Sequence, residues 1–250
     1  QTSAMTSDWN YFNSNYNLES LKEGLKRYLK KMPDFQNIDT IDSISNKSSV
    51  LHLGCDLSKY NQHKKEYRNQ KPVILWNHRW EYDKNPELFF NTLFKIKDME
   101  IDFSLVILGE KFSSSPEIFK KAEKKLKDNI IHLGYCKSFK DYANWLWKSD
   151  IAPVTSNQDF FGISVVEASY CNVYPILPDR LSYRELFNKV KNPSIFYKNE
   201  KQLLKIIVDS IRNYENLDSY ADMIKIYDWE MIVENYDQSF EKLVLCAEND

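Results

Sequence analysis

The chain has 250 residues, of which 42% are hydrophobic and 28% charged, with a formal net charge of −2. That balance excludes a disordered or fibrous chain and a strongly basic nucleic-acid coat, though not a locally basic face. No apolar run reaches the roughly 20 residues that a bilayer-spanning helix needs, and at about 150 residues per domain the length allows one large or two small domains.

The start, Gln1-Thr2-Ser3-Ala4, has no initiator Met and no leader-like pattern, which fits a fragment of a longer protein. Asp8-Trp9-Asn10-Tyr11-Phe12 reads as a strand, and Leu18, Leu21, Leu25 and Met32 form a helical stripe. Val50-Leu51-His52-Leu53 is a strand-length apolar run closed by Gly54, and the polar stretch 58–71 reads as a linker. Val73-Ile74-Leu75-Trp76 is the next strand. Asn85-Pro86-Glu87 then starts a helix, with a capping amide, Pro at the first position and an acid near the positive end. Leu105-Val106-Ile107-Leu108 is closed by Gly109, and Ser115-Pro116-Glu117 repeats the helix start. Ile130-Ile131-His132-Leu133 is closed by Gly134, and Ser138 with Asp141 resembles a capping box. Ile151-Ala152-Pro153-Val154 and Val173-Tyr174-Pro175-Ile176-Leu177 are further strands, the second weakened because Pro175 lacks a ladder donor. Leu203, Ile206, Ile207 and Ile211, then Met231, Tyr236, Phe240 and Leu243, mark closing helices.

Short apolar strands alternating with amphipathic helices predict an α/β fold, a doubly wound parallel sheet covered on both faces. The expected division is 1–57 as the last part of one Rossmann-like domain, 58–71 as linker, 72–225 as a complete Rossmann-like domain, and 226–250 as a C-terminal helix. Cys55, Cys136, Cys171 and Cys246 are far apart and form no Cys-x-x-Cys, so structural thiols in a reducing cytoplasm are expected. His52, His63, His78 and His132 show no metal spacing, and no metal is expected.

No G-x-G-x-x-G, Walker A or G-x-S-x-G motif occurs. Two other blocks carry chemistry. The first, Asn77-His78-Arg79-Trp80-Glu81-Tyr82-Asp83-Lys84, lies between a predicted strand and a predicted helix start, at the edge where doubly wound sheets bind ligands. Arg79 and Lys84 beside a helix N-terminus can hold a diphosphate; two solvated loop charges fit the same spacing. The second, Asp159-Phe160-Phe161-Gly162-Ile163-Ser164-Val165-Val166-Glu167, also follows a strand. Asp159 and Glu167 suit a hydroxyl-rich ligand; a capping Asp and an exposed helix Glu are the alternative.

Together, Arg79/Lys84 and Asp159/Glu167 resemble the donor half of GT-B glycosyltransferases of the large retaining family four. That family usually has Gly where this chain has His78, and Glu where it has Asp159. Trp76-Asn77-His78-Arg79-Trp80-Glu81 and Asp83-Lys84-Asn85-Pro86-Glu87 resemble the tRNA-queuosine mannosyltransferases more closely. Phe12-Asn13-Ser14, Tyr16-Asn17, Glu19-Ser20 and Leu53-Gly54-Cys55-Asp56-Leu57 fit the same family.

The resemblance implies a cytoplasmic enzyme that transfers mannose from GDP-mannose to the cyclopentene-diol of queuosine in a tRNA anticodon, with no metal and no membrane. It implies Arg79 and Lys84 on the diphosphate, Asp159 with backbone N–H groups near Phe161 and Gly162 on the hexose, and Glu167 on the ribose. His78, Gly109, Glu110, Gly134, Tyr135, Phe160 and Ile163 complete the expected donor-binding set. Residues 1–57 would be what remains here of the acceptor-side domain, so this chain alone is expected to be inactive. A polysaccharide or glycolipid glycosyltransferase is the alternative enzyme. A silent tRNA-binding module is the alternative outside enzymes; its support is Lys59, His63, Lys64, Lys65, Arg68 and Lys71, with Tyr60 and Tyr67 interleaved.

Overall fold

The computed structural model describes residues 2–67, 69–110 and 115–247. Arg68 and the Cys246 side chain lie outside the described residues. The chain opens with α1 (Thr2–Thr6), β1 (Asn10–Phe12), α2 (Asn15–Leu29), α3 (Asp39–Asn46) and β2 (Ser48–Val50). β1 and β2 pair in parallel from Asn10↔Ser48 to Phe12↔Val50. Leu25, Leu29, Ile41 and Ile44 form a small core beneath them. Ser14 caps α2, its Oγ accepting from the Asn17 N–H at 3.0 Å. α2 ends before Met32, so the expected stripe stops one turn short.

Two further expectations are corrected. The strand predicted at 50–53 lies at Ser48–Val50, because beyond Leu51, whose N–H reaches Phe12 O, the chain leaves its partner strand. The 58–71 stretch is not simply a polar linker. Ser58–His63 is a 3-10 helix whose Tyr60 is 1% exposed and packs edge-on to Phe139 at 4.9 Å. One aromatic in a polar run is enough to seat that turn in the main core.

The main sheet is built from β3 (Val73–Asn77), β4 (Ser104–Leu108), β5 (Ile130–Gly134), β6 (Ile151–Pro153), β7 (Tyr174–Pro178) and β8 (Phe196–Tyr197). All pairs are parallel, in the order β5-β4-β3-β6-β7-β8. β4 and β7 are buried at every residue, whereas edge strand β5 alternates. That is how strands covered on both faces differ from an edge. Pro175 is tolerated because Tyr174 and Ile176 make the bonds to the β6 side, leaving the Pro175 nitrogen facing a stretch that β8 does not reach.

The helices are α4 (Pro86–Asp98), α5 (Ile118–Lys125), α6 (Phe139–Lys148), α7 (Ile163–Tyr170), α8 (Tyr183–Leu186), α9 (Glu200–Arg212), α10 (Ala221–Ile224) and α11 (Trp229–Ala247). Asn85 caps α4 and Ser138 caps α6 through side-chain acceptors, as expected. α5 differs: it starts only at Ile118, without a side-chain cap bond at Glu117. α11 returns to the N-terminal segment, where the Tyr236 hydroxyl donates to His52 O at 2.8 Å and Tyr11 meets Phe240 edge-on. Among the described residues no helix is long and apolar enough to cross a membrane. The strand order reverses between β3 and β6, so the crevice at their carboxyl ends is the topological switch point.

Candidate nucleotide-sugar site

A cavity of about 550 Å³ opens at that switch point. The turns after β3, β4 and β5, the Asp159 loop and the first turns of α7 line it. Seven expected residues face it: His78, Arg79, Lys84, Gly109, Tyr135, Asp159 and Glu167. Leu108, Cys136, Lys137 and Ser138 line it as well, and sequence reasoning misses Asn77, Phe139, Tyr142 and Ser164 as further lining residues. For Asn77 the available signal is adjacency to the first block. For Tyr142 it is only a place on the apolar face of α6.

Lys84 is not a solvated loop charge. Its side chain is 12% exposed, its ammonium lies 3.2 Å from Asp83 and 3.5 Å from Asp159, and it donates to Gln158 O at 3.0 Å. Arg79 is the outer cation, mostly exposed and paired with Glu81 at 3.1 Å. Asp159 also accepts from the Tyr183 hydroxyl at 3.0 Å. Glu167 is mostly buried rather than exposed on its helix; it accepts from the Tyr142 hydroxyl at 2.7 Å. Burial raises its pKa, and hydrogen bonding to Tyr142 holds part of that rise back. Asn77 donates to both Tyr142 Oη, at 2.9 Å, and Ser164 O, at 3.1 Å.

The turn after β4 approaches the turn after β3 closely. Trp80 donates its ring N–H to Leu108 O at 3.1 Å and its backbone N–H to Glu110 O at 3.3 Å. Gly109 sits there at φ +112°, where a Cβ would fall 2.1 Å from His78 O.

Six expected donor-binding residues do not line this cavity. Phe161 is a core residue, 2% exposed and edge-on to Tyr227 at 5.4 Å. Phe160 turns toward Tyr16, and its carbonyl accepts from Ser14 Oγ. Gly162 caps α7 against the Tyr183 ring, and Ile163 is exposed beside it. Glu110 offers its carbonyl to Trp80, and Gly134 shapes the turn behind Tyr135 at φ +118°. Of the apolar residues in this motif, Phe161 serves the core, while Phe160 and Ile163 keep exposed side chains. Of the two tyrosines in the basic stretch, Tyr60 is not available for stacking a base. Tyr60 is buried, Lys59 lies over Phe139 at 4.6 Å and Lys64 over Trp147 at 5.3 Å, and Lys71 pairs with Asp102.

His78 gives the chain an acid sensitivity. Burial, then the Lys84 charge, pulls its pKa down to about 3, against a smaller pull from Asp83. At pH above 6.5 the imidazole is neutral in both folded and unfolded chains. As pH falls from there toward 3, the unfolded chain takes a proton that the folded one refuses, so stability declines. Between pH 7 and pH 5 this one site should cost about 2 kcal/mol. Urea melts at both pH values check it: His78→Gln should lose less stability than wild type on acidification. Equal losses would trace the sensitivity to other groups.

Residues 58–226 match the family of glycosyl transferases group 1, and residues 1–55 match the tRNA-queuosine alpha-mannosyltransferase N-terminal family. The tRNA-queuosine alpha-mannosyltransferase of Drosophila melanogaster is 31% identical over 195 residues, covering 75% of this chain and 52% of that protein. The chain thus spans about half the length of that relative. Sucrose-phosphate synthase from Thermosynechococcus elongatus superposes with a TM-score of 0.70 at 14% identity, over 98% of this chain and 60% of the synthase. Anabaena HepE in complex with UDP superposes with a TM-score of 0.68 at 14% identity, over 94% of this chain and 64% of HepE. These two likenesses establish the fold, of GT-B type.

Proposed function

Because the chain belongs to the glycosyl transferases group 1 family, we propose that it supplies the donor-binding half of a cytoplasmic enzyme that moves mannose from GDP-mannose to queuosine in a tRNA anticodon. The observation that carries the reading is the switch-point cavity, which gathers Arg79 and Lys84 with Asp159 and Glu167. The match of residues 1–55 to the queuosine-specific N-terminal family directs the acceptor assignment.

In this reading Lys84 and Arg79 take the diphosphate, beside the N-terminus of α4. Lys84 exchanges Asp159 for the phosphate, which frees Asp159 for hexose hydroxyls. Glu167, fixed by Tyr142, accepts from the ribose. The bond from the sugar's anomeric carbon to the diphosphate breaks as the queuosine hydroxyl bonds to that carbon on the same face. The hydroxyl proton ends on the diphosphate. Two cations and a helix end neutralise the leaving group, so the reading calls for no metal. Residues 1–57 would belong to the acceptor side and 72–225 to the donor side.

Nucleoside mass spectrometry tests it, after GDP-mannose and queuosine-containing tRNA are incubated with the native protein that carries this sequence. One added hexose on queuosine is expected. The 250-residue chain alone should give none, since the acceptor side needs more than residues 1–57. Hexose found on a lipid or polysaccharide instead would overturn the acceptor assignment. Binding of tRNA should weaken as salt rises, because phosphate contacts release counterions. Affinity that ignores salt between about 50 and 200 mM would speak against backbone contacts.

A further inference from the structure

The network along the cavity wall reaches one residue with no role so far. Ser164 is the second residue of α7, and its Oγ lies 3.1 Å from His78 Nδ1. A serine in a helix interior can return its proton to the carbonyl four residues back. In the first turn of α7 that return bond is not made: among the described residues Ser164 Oγ bonds to no carbonyl, and Phe160 O accepts from Ser14 instead. The imidazole nitrogen is the partner that remains for the hydroxyl proton. Ser164 is itself held: its carbonyl accepts from Asn77 Nδ2, which also donates to Tyr142, and Tyr142 donates to Glu167. Among the described residues His78 Nε2 has no hydrogen-bond partner, and His78 lines the cavity next to Arg79.

A hydroxyl that donates to Nδ1 leaves the ring proton on Nε2. The opposite arrangement would leave Nε2 as an unpartnered lone pair in the wall of a site whose cations call for an anion. We propose that Ser164 is a positioning residue that locks His78 as its Nε2–H tautomer, so that an uncharged imidazole donates to an oxygen of the bound diphosphate. This rests on the nucleotide-sugar reading of the cavity. Charge is not what the imidazole adds. Lys84, with Asp83 opposing it, is the charged neighbour that faces the ring, and together with burial it keeps the ring neutral. A neutral N–H needs no counter-charge when the cavity is empty.

The test is NMR of the native protein labelled with ¹⁵N-histidine, with His78→Gln assigning the signal. The proposal expects the Nε2–H tautomer from pH 5 to 8, and a shift of that nitrogen when GDP saturates the site. Ser164→Ala should mix the tautomers and weaken GDP binding about 3- to 10-fold, the scale of one hydrogen bond. Ser164→Thr, which keeps the hydroxyl, should restore both. An Nδ1–H tautomer in wild type, or a tautomer unmoved in Ser164→Ala, overturns the proposal. GDP that binds without moving the His78 signal overturns it too, and leaves the donor-site reading standing. Absence of any GDP binding overturns both.

Discussion

Lys84→Ala in the native protein is expected to lower turnover about 100- to 1,000-fold at saturating donor, the scale of losing one preorganised donor to a developing anion. The geometry makes Lys84 the stronger candidate of the two cations. It is already inside the cavity, held by Asp83, Asp159 and Gln158 O, whereas Arg79 is mostly exposed and must swing in from Glu81. Preorganisation has a cost when the lysine is removed. Asp83 and Asp159 then face each other without their cation, and Asp83 Oδ1 is already buried without a partner. A destabilisation of about 1–3 kcal/mol is expected, below that of breaking a fully buried pair because both acids keep some exposure. Turnover must therefore be compared well below the melting temperature of the variant. Arg79→Ala is the control: an exposed arginine should change stability by no more than about 0.5 kcal/mol, so any drop in its turnover reports chemistry alone. Unchanged turnover of Lys84→Ala at saturating GDP-mannose would remove the leaving-group role.

How much of this is legible along the chain follows from where each residue's information lies. β3, β4 and β7 read off the sequence because strands buried on both faces are continuous apolar runs. α4 reads because its cap, Pro and acid are local to its own first turn. β8 does not read, since Phe196–Tyr197 is two residues long and exists only by pairing with β7. The turn at 58–63 does not read because one buried ring, Tyr60, is anchored by Trp147, whose indole donates to Tyr60 O from 87 positions away. The site divides the same way. The spacing of Arg79 with Lys84, and of Asp159 with Glu167, is written along the chain. That Lys84 pairs with Asp159, and Glu167 with Tyr142, depends on β3, β6, α6 and α7 converging, which spacing does not encode. Phe161 shows that a site motif and the core can share a residue: its ring is buried, which leaves its expected backbone N–H role untouched.

Gly109→Ala is expected to destabilise the chain by more than about 4 kcal/mol or to prevent folding. Two costs combine there. At φ +112° a side chain is strained, by about 1–3 kcal/mol. The new Cβ would also lie 2.1 Å from His78 O and 3.2 Å from the Trp80 ring. Neither neighbour can yield. His78 O is backbone and accepts from the Trp76 indole at 2.9 Å, and the Trp80 indole donates to Leu108 O while stacking on Phe119 at 4.4 Å. Moving the turns apart breaks those bonds and shifts His78 and Arg79 at the cavity mouth. Gly134→Ala separates the two costs, because Gly134 has φ +118° but no atom within 4 Å of where its Cβ would stand. It should lose only the strain, about 1–3 kcal/mol. Gly24→Ala sets the sign of the scale: it lies inside α2 with open space around it, and should gain about 0.5–1 kcal/mol from helix propensity. Thermal melts of the three variants should therefore rank Gly24→Ala above wild type, then Gly134→Ala, then Gly109→Ala. The last should melt at least about 8–16 °C low if it folds at all, at about 2–4 °C per kcal/mol for a chain of this size. GDP affinity should fall most in Gly109→Ala. A Gly109→Ala protein that melts like Gly134→Ala would mean that the turns after β3 and β4 are not in contact, and the cavity wall drawn from them would have to be redrawn.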